Sequence, residues 1–227
     1  AQLAEQPCSE LWVKRRKAKN KLFFLFYFIM ITTFLFDLDD TLIDSKIYKE
    51  IYPVIVEKVC SELKINQKEL FSKATSLGLK PNKHGNFDSG DLCKKLNSLD
   101  IYFPILEEAI KVKEVLHDNV LEIFSSLKKE GKKIGIVSNS MLKTIKLYLN
   151  KYEIKPDFIF SSDYTGCLKD CNEYWKKLIT AEQLVPPECL VIGDDYNEDV
   201  TIPASLGFKT FYLEDASKLK EVERFIN

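Results

Sequence analysis

The stretch Ile31-Thr32-Thr33-Phe34-Leu35-Phe36-Asp37-Leu38-Asp39-Asp40-Thr41-Leu42 decides the fold. Its first six residues are uncharged and rich in β-branched and aromatic side chains, so they read as a buried strand. They run straight into two aspartates one residue apart. Open α/β sheets build their sites at the carboxyl ends of strands, and Asp37 and Asp39 stand at such an end. Adjacent carboxylates raise each other's pKa and favour a cation among them. A set of oxygen ligands suits a hard ion such as Mg²⁺.

Downstream, the text turns helical in period from Asp44 to about Leu116. Ile47, Ile51, Val54, Ile55, Val59 and Leu63 recur at three- and four-residue steps. Further helices are expected over Lys68–Leu77, Asp91–Leu99 and Pro104–Val115, with a breaker-rich loop over Lys80–Gly90. Strand–helix alternation resumes at Asn119. Strands are expected over Lys133–Val137, Asp157–Phe160, Glu188–Ile192 and Lys209–Leu213. Helices are expected over Val120–Glu130, Met141–Tyr152, Cys171–Glu182 and Val200–Leu206. Five strands joined by helices make an α/β fold with a doubly wound, parallel, Rossmann-like sheet. Residues 30–44 and 117–227 form its core domain, and 45–116 an inserted all-helical domain.

The chain has 227 residues and a net charge of −1. That length fits one large domain or a core with an insertion. Arg15, Arg16 and Arg224 are its only arginines, so phosphate contacts in the main body fall to Lys, Ser, Thr, Asn or backbone N–H groups. The six cysteines include no CxxC pair, and reduced thiols in a cytoplasmic protein are expected rather than zinc ligands or disulfides.

Residues 1–29 differ in composition, carrying a net +4 against −5 for the rest. Lys14, Arg15, Arg16, Lys17, Lys19 and Lys21 precede the apolar run Leu22–Phe28. The uncharged run from Leu22 to Phe36 has 15 residues, short of the ~20 that span a bilayer, and its last third is already used as a strand. No stable membrane span is therefore expected. The expectation is that 1–29 is an extension and Met30 the natural start, with a peripheral targeting tail or a helix packed on the core as alternatives. The acidic remainder argues against nucleic acid as a partner.

Four spots fall at strand ends: Asp37 and Asp39, Ser138-Asn139, Lys169, and Gly193-Asp194-Asp195. Singly, each has an ordinary reading. Ser138 could be a helix cap, Lys169 a solvated side chain, and Asp194-Asp195 turn chemistry. Their convergence on one crevice makes the case for a site.

With these motifs in order, the sequence resembles the haloacid dehalogenase-like superfamily of phosphohydrolases. The resemblance rests on Asp37-Leu38-Asp39-Asp40-Thr41, on Ile136-Val137-Ser138-Asn139, on Lys169 ahead of a helix, and on Gly193-Asp194-Asp195-Tyr196-Asn197-Glu198-Asp199. It departs from many relatives at Asp170, where Pro is common, and at Glu198, where Asn is common.

The resemblance implies roles. Asp37 would be the nucleophile that forms an aspartyl-phosphate, and Asp39 the acid and base. Mg²⁺ would bind Asp37, the backbone carbonyl of Asp39, and Asp194. Ser138, Asn139 and Lys169 would contact the phosphoryl group. Thr41, Asp195 and Asp199 would support these groups from behind. The acid at Asp39 favours phosphate esters over carbon–halogen bonds. The helical insertion resembles a cap that reads the leaving group, with hinges near Asp44–Lys46 and His117–Asn119. Lys80, Lys83 and His84 are cap-loop candidates for an anionic substrate, though a solvated loop is the better expectation, and His117 is expected to be structural.

The expected enzyme is thus a cytoplasmic, Mg²⁺-dependent phosphatase, monomer or homodimer, acting on a small phosphorylated metabolite. A phosphomutase of the same superfamily or a non-catalytic binding protein are the alternatives.

Overall fold

In the computed structural model, which describes residues 30–82 and 85–226, the run ahead of Asp37 is strand β1 (Thr33–Phe36), with all four side chains buried. It is followed by β2 (Lys133–Ser138), β3 (Phe158–Ser161), β4 (Cys189–Gly193) and β5 (Lys209–Tyr212). They form one parallel sheet in the order β3-β2-β1-β4-β5. The expected fold class holds. The chain winds outward from β1 through β2 to β3, then returns to the far side of β1 for β4 and β5. The switch point lies between β1 and β4, where a doubly wound sheet opens a crevice.

Successive side chains of a strand face opposite sides of the sheet, and two apolar layers result. Phe34, Phe36, Ile134, Ile136, Leu190 and Ile192 share one cluster with Ile123, Phe124 and Leu127 of α5 (Val120–Lys129). Leu35, Val137 and Val191 share the other with Tyr174, Trp175 and Leu178 of α8 (Asn172–Glu182). A strand covered on both faces must be apolar throughout, which is why β1 reads as a continuous apolar run. Burying each Phe or Leu contributes about 1.5–3 kcal/mol.

Between β1 and α5 lie four helices: α1 (Lys46–Leu63), α2 (Gln67–Ser76), α3 (Ser89–Leu96) and α4 (Leu99–Val112). Their apolar faces join the first cluster. The chain enters and leaves this block through two strands of backbone tied side by side. Ile43 bridges Leu116 in antiparallel fashion, Asp44 N–H donates to Val115 O at 2.8 Å, and His117 N–H donates to Leu42 O at 2.9 Å. These are the segments expected to act as hinges.

Helix boundaries differ in three places. The helix expected over Asp91–Leu99 runs Ser89–Leu96 and ends on Asn97 in the left-handed region. The last helix of the block starts at Leu99, not Pro104. Proline suits a first turn, but the buried Tyr102 and Phe103 extend the apolar face upstream and hold Pro104 inside the helix. The helix expected over Val200–Leu206 is a π-type turn over Tyr196–Thr201 followed by α9 (Ile202–Ser205). Between β2 and β4 run α6 (Leu142–Lys151) and, beside β3, a further short helix, α7 (Ser162–Thr165), that was not expected.

Among the described residues no helix is long and apolar enough to cross a membrane. The expectations for residues 1–29, and for Lys83 and His84, lie outside the described residues.

Candidate active site

The carboxyl ends of β1, β2 and β4 bring the four motifs together. Asp37 continues β1, and its N–H donates to Ile192 O at 2.9 Å. Lys169, on the loop before α8, reaches back to it. Its Nζ donates to Asp37 Oδ1 at 2.6 Å and to Asp199 Oδ1 at 2.8 Å. Lys169 is 2% exposed, Asp37 6% and Asp199 0%. A lysine this deep is tolerated only when paired. Burial works to lower its pKa, but Asp37 and Asp199 outweigh it and hold the ammonium protonated. Burial pushes the Asp37 carboxyl well above its ordinary range, against the pull of Lys169 and with the help of Asp199 and Asp39.

Backbone geometry fixes these groups. The π-type turn is capped by Asp195, whose Oδ1 accepts from the N–H groups of Asn197 at 2.9 Å and Glu198 at 2.8 Å. This turn carries Asp199 back over the end of β4. A Cβ on Gly193 would lie 2.2 Å from Asp199 Cγ, so only glycine leaves Asp199 its place. Asp195 itself is exposed and supports the site through its turn and through its N–H, which donates to Asp199 Oδ2 at 3.2 Å.

One carboxylate oxygen from each of Asp37, Asp194 and Asp199 lies within 4.8 Å of the others. Burial, with Asp40 and Asp199 nearby, raises the Asp194 pKa to about 6. Three acids at this spacing offset only by Lys169 leave an excess of negative charge, and their oxygens fit a hard divalent cation. Both Asp199 oxygens already accept hydrogen bonds, so Asp37 and Asp194 are the better placed ligands.

Asp39 Oδ2 accepts from Ser140 Oγ at 2.7 Å, and Oδ1 is buried. Burial raises its pKa, against the lowering effect of the Ser140 and Tyr48 hydroxyls and of Lys169. Ser138 is fully buried, and its Oγ accepts from Ser140 N–H at 3.0 Å. Thr41 is also fully buried, but its hydroxyl makes no hydrogen bond. The turn after the aspartates is held by backbone instead, with Leu42 N–H on Leu38 O at 2.9 Å and Asp40 N–H on Ile43 O at 2.8 Å.

Asn139 is engaged at both ends of its amide. Oδ1 accepts from Lys169 N–H at 2.8 Å, and Nδ2 donates to Glu198 Oε2 at 2.6 Å. Glu198, Asn139 and Lys169 thereby form a strap across three motifs. Ser140 was not singled out in the sequence, nor was Trp175, whose Nε1 donates to Lys169 O at 3.0 Å. The departure at Glu198 was the one signal pointing to the strap. His117 places a buried, unpartnered Nε2 beside a cavity lined by Asp40 and Asp194. Lys80 is exposed and lines a recess with Tyr48 and Tyr52.

A family model for haloacid dehalogenase-like hydrolases matches residues 31–207. The chain belongs to the haloacid dehalogenase-like hydrolase family. The expectation of a phosphohydrolase enzyme of this family therefore stands. Pyrophosphatase PpaX of Bacillus mycoides is 27% identical over 183 residues, 79% of this chain and 82% of that relative. Among solved haloacid dehalogenase-like structures, a HAD phosphatase from Thermococcus onnurineus superposes with a TM-score of 0.64 at 20% identity, over 85% of this chain and 97% of that one. The HAD-hydrolase YfnB of Bacillus subtilis, solved bound to magnesium, gives a TM-score of 0.59 at 20% identity, over 87% and 99%.

Proposed function

We propose that this hydrolase is a Mg²⁺-dependent phosphatase that cleaves a small phosphomonoester through an aspartyl-phosphate. The observation that carries the reading is the buried contact between Lys169 Nζ and Asp37 Oδ1, with Asp194 alongside. A surface ion pair does not need this burial; a carboxylate aimed at a phosphoryl group does.

In this reading Asp37 attacks phosphorus and forms an oxygen–phosphorus bond as the bond to the leaving oxygen breaks. Asp39 gives its proton to that oxygen, while Ser140 holds the Asp39 carboxyl through Oδ2. Burial raises the pKa of Asp39, the direction that suits a group giving up a proton and taking one back. Asp39 then takes a proton from water, which attacks phosphorus and releases phosphate and free Asp37. Lys169 stabilises charge on the transferred group, and the Ser138 hydroxyl binds one of its oxygens. Asn139 and Asp199 hold Lys169 in place. Asp37, Asp194 and the backbone carbonyl of Asp39 would hold Mg²⁺, which when bound offsets the repulsion between a carboxylate and a phosphate dianion. Magnesium in the YfnB structure supports the choice of ion.

Residues 45–116 act as a cap over this site. The five described cysteines are free thiols, which suits a cytoplasmic enzyme. The test is phosphate release with Mg²⁺ from a panel of small phosphomonoesters, with Asp37→Asn as control. Asp37→Asn is expected to lose at least about a thousandfold in kcat. Equal release by both proteins on every substrate would end the proposal. The name of the PpaX relative brings pyrophosphate in as the competing substrate.

A further inference from the structure

A second cavity, of about 260 Å³, opens from Asp39 between the helical block and the core. Tyr48 of α1, Asp88, Gly90, Asp91 and Lys94 around α3, and Tyr102 of α4 wall one side. Ser140 and Thr144 are among the residues that wall the other. Asp39 is part of its wall, so it adjoins the acid of the proposed reaction. Its volume lies below the ~300–1,000 Å³ of sites for drug-sized molecules, so it takes a small group.

Two properties of the lining point to what that group is. The first is its hydroxyls. Tyr48, Tyr102, Ser140, Thr144 and Ser162 all stand in its wall, and hydroxyls both donate and accept. The second is charge. Asp39, Asp88 and Asp91 line the cavity, and Lys94 is its one cation among the described residues. Lys94 Nζ already pairs with Asp163 Oδ1 at 2.9 Å. Lys49 and Lys80 do not line it; they are exposed in a neighbouring recess that shares Tyr48 and Asp88 with it. Arg224 lies over Phe211 and Phe225, away from the cavity.

We propose that this cavity receives the leaving group, and that it selects a small, uncharged, hydroxyl-bearing one and rejects leaving groups that carry a carboxylate or a second phosphate. The inference rests on the phosphatase reading above and sharpens it, because it sets pyrophosphate and phosphorylated acids aside in favour of polyol phosphates. A polyol supplies both donors and acceptors to the lining hydroxyls. An anion inside the cavity would meet acids and, among the described residues, no lining cation free of a carboxylate.

The test compares glycerol phosphate with phosphoglycerate, which replaces a hydroxymethyl group by a carboxylate, and with pyrophosphate and phosphoethanolamine. Binding is measured by calorimetry on Asp37→Asn with Mg²⁺ present, and phosphate release on the wild type. Glycerol phosphate is expected to bind at least about tenfold tighter than phosphoglycerate or pyrophosphate. Asp88→Asn keeps the helix cap, since Asn caps as well as Asp, and should narrow that gap by at least about threefold through better phosphoglycerate binding. Thr144→Val should weaken glycerol phosphate and leave phosphoglycerate unchanged.

Equal or tighter binding of either anion, a preference for phosphoethanolamine, or a gap unmoved by Asp88→Asn would overturn the inference. If Asp37→Asn prefers glycerol phosphate but the wild type releases no phosphate from it, the phosphatase reading fails and the cavity's preference stands.

Discussion

Lys169 is the residue on which the electrostatics of the site turn. It separates two buried carboxylates, Asp37 and Asp199, at 2.6 and 2.8 Å. Removing the ammonium leaves two neighbouring acids without water or a counter-charge. Lys169→Met keeps much of the side-chain volume, so packing loss is small and charge loss dominates. Breaking a buried pair in this way costs about 3–5 kcal/mol. Urea denaturation without Mg²⁺ should therefore show a large drop in midpoint with little change in slope, together with loss of turnover. An unchanged midpoint would mean that Lys169 is not the counter-charge of these acids. As a lone residue in the sequence, Lys169 reads as solvated, because a single lysine in a polar loop gives no sign of its depth. Only its place in the order of the four motifs marked it.

At the scale of elements, two glycines do different things. Gly193 ends β4 under the Asp199 carboxylate, with Asp199 Cγ 2.2 Å from where a Cβ would sit. Gly135 lies inside β2, and a Cβ there would meet the Phe158 ring at 2.3 Å. Both substitutions to Ala overpack, at about 1–3 kcal/mol each. Gly193→Ala must also push Asp199 off Lys169, so its kcat should fall by at least about tenfold. Gly135→Ala should lower stability and leave kcat nearly unchanged. Paired measurements of melting temperature and kcat separate the two, and equal losses of kcat would contradict this division of roles.

The strands were legible in the sequence because burial on both faces writes a continuous apolar run. The π-type turn was not. It depends on Asp195 gathering the N–H groups of Asn197 and Glu198 and on Gly193 making room, which are contacts across the turn rather than a periodicity. The strap from Glu198 through Asn139 to Lys169 was hidden for the same reason: it joins motifs far apart in sequence through side chains that each look ordinary. The start of α4 was missed because a proline's local preference was weighed above the apolar face that it interrupts.

For the whole molecule, the acid cluster couples folding, pH and metal. Burial raises the Asp194 pKa to about 6 from an ordinary 3.8. The folded state therefore binds that proton more tightly than the unfolded state. Without a cation, the contribution of Asp194 to stability declines as pH rises from about 4 through 6. A divalent cation needs the ionised form and competes with the proton, so its affinity falls as pH drops below about 6. Mg²⁺ should raise the melting temperature clearly at pH ~7.5 and hardly at all at pH ~5. Melts with Mg²⁺ or with chelator at both pH values check this, and equal shifts at both would exclude Asp194 as a ligand.

The position of β1 in the sheet has a consequence for the order in which the chain can assemble. Thr33 pairs with Lys133 on one side and with Cys189 on the other. The strand that leads to Asp37 is made about 100 residues before one of its hydrogen-bonding partners and about 150 before the other. Contacts this distant in sequence are slow to form. Until Cys189–Gly193 leaves the ribosome, an apolar strand with an open edge has to be kept from pairing with other chains. The same central placement that buries Asp37 makes the nascent protein a candidate client for chaperones.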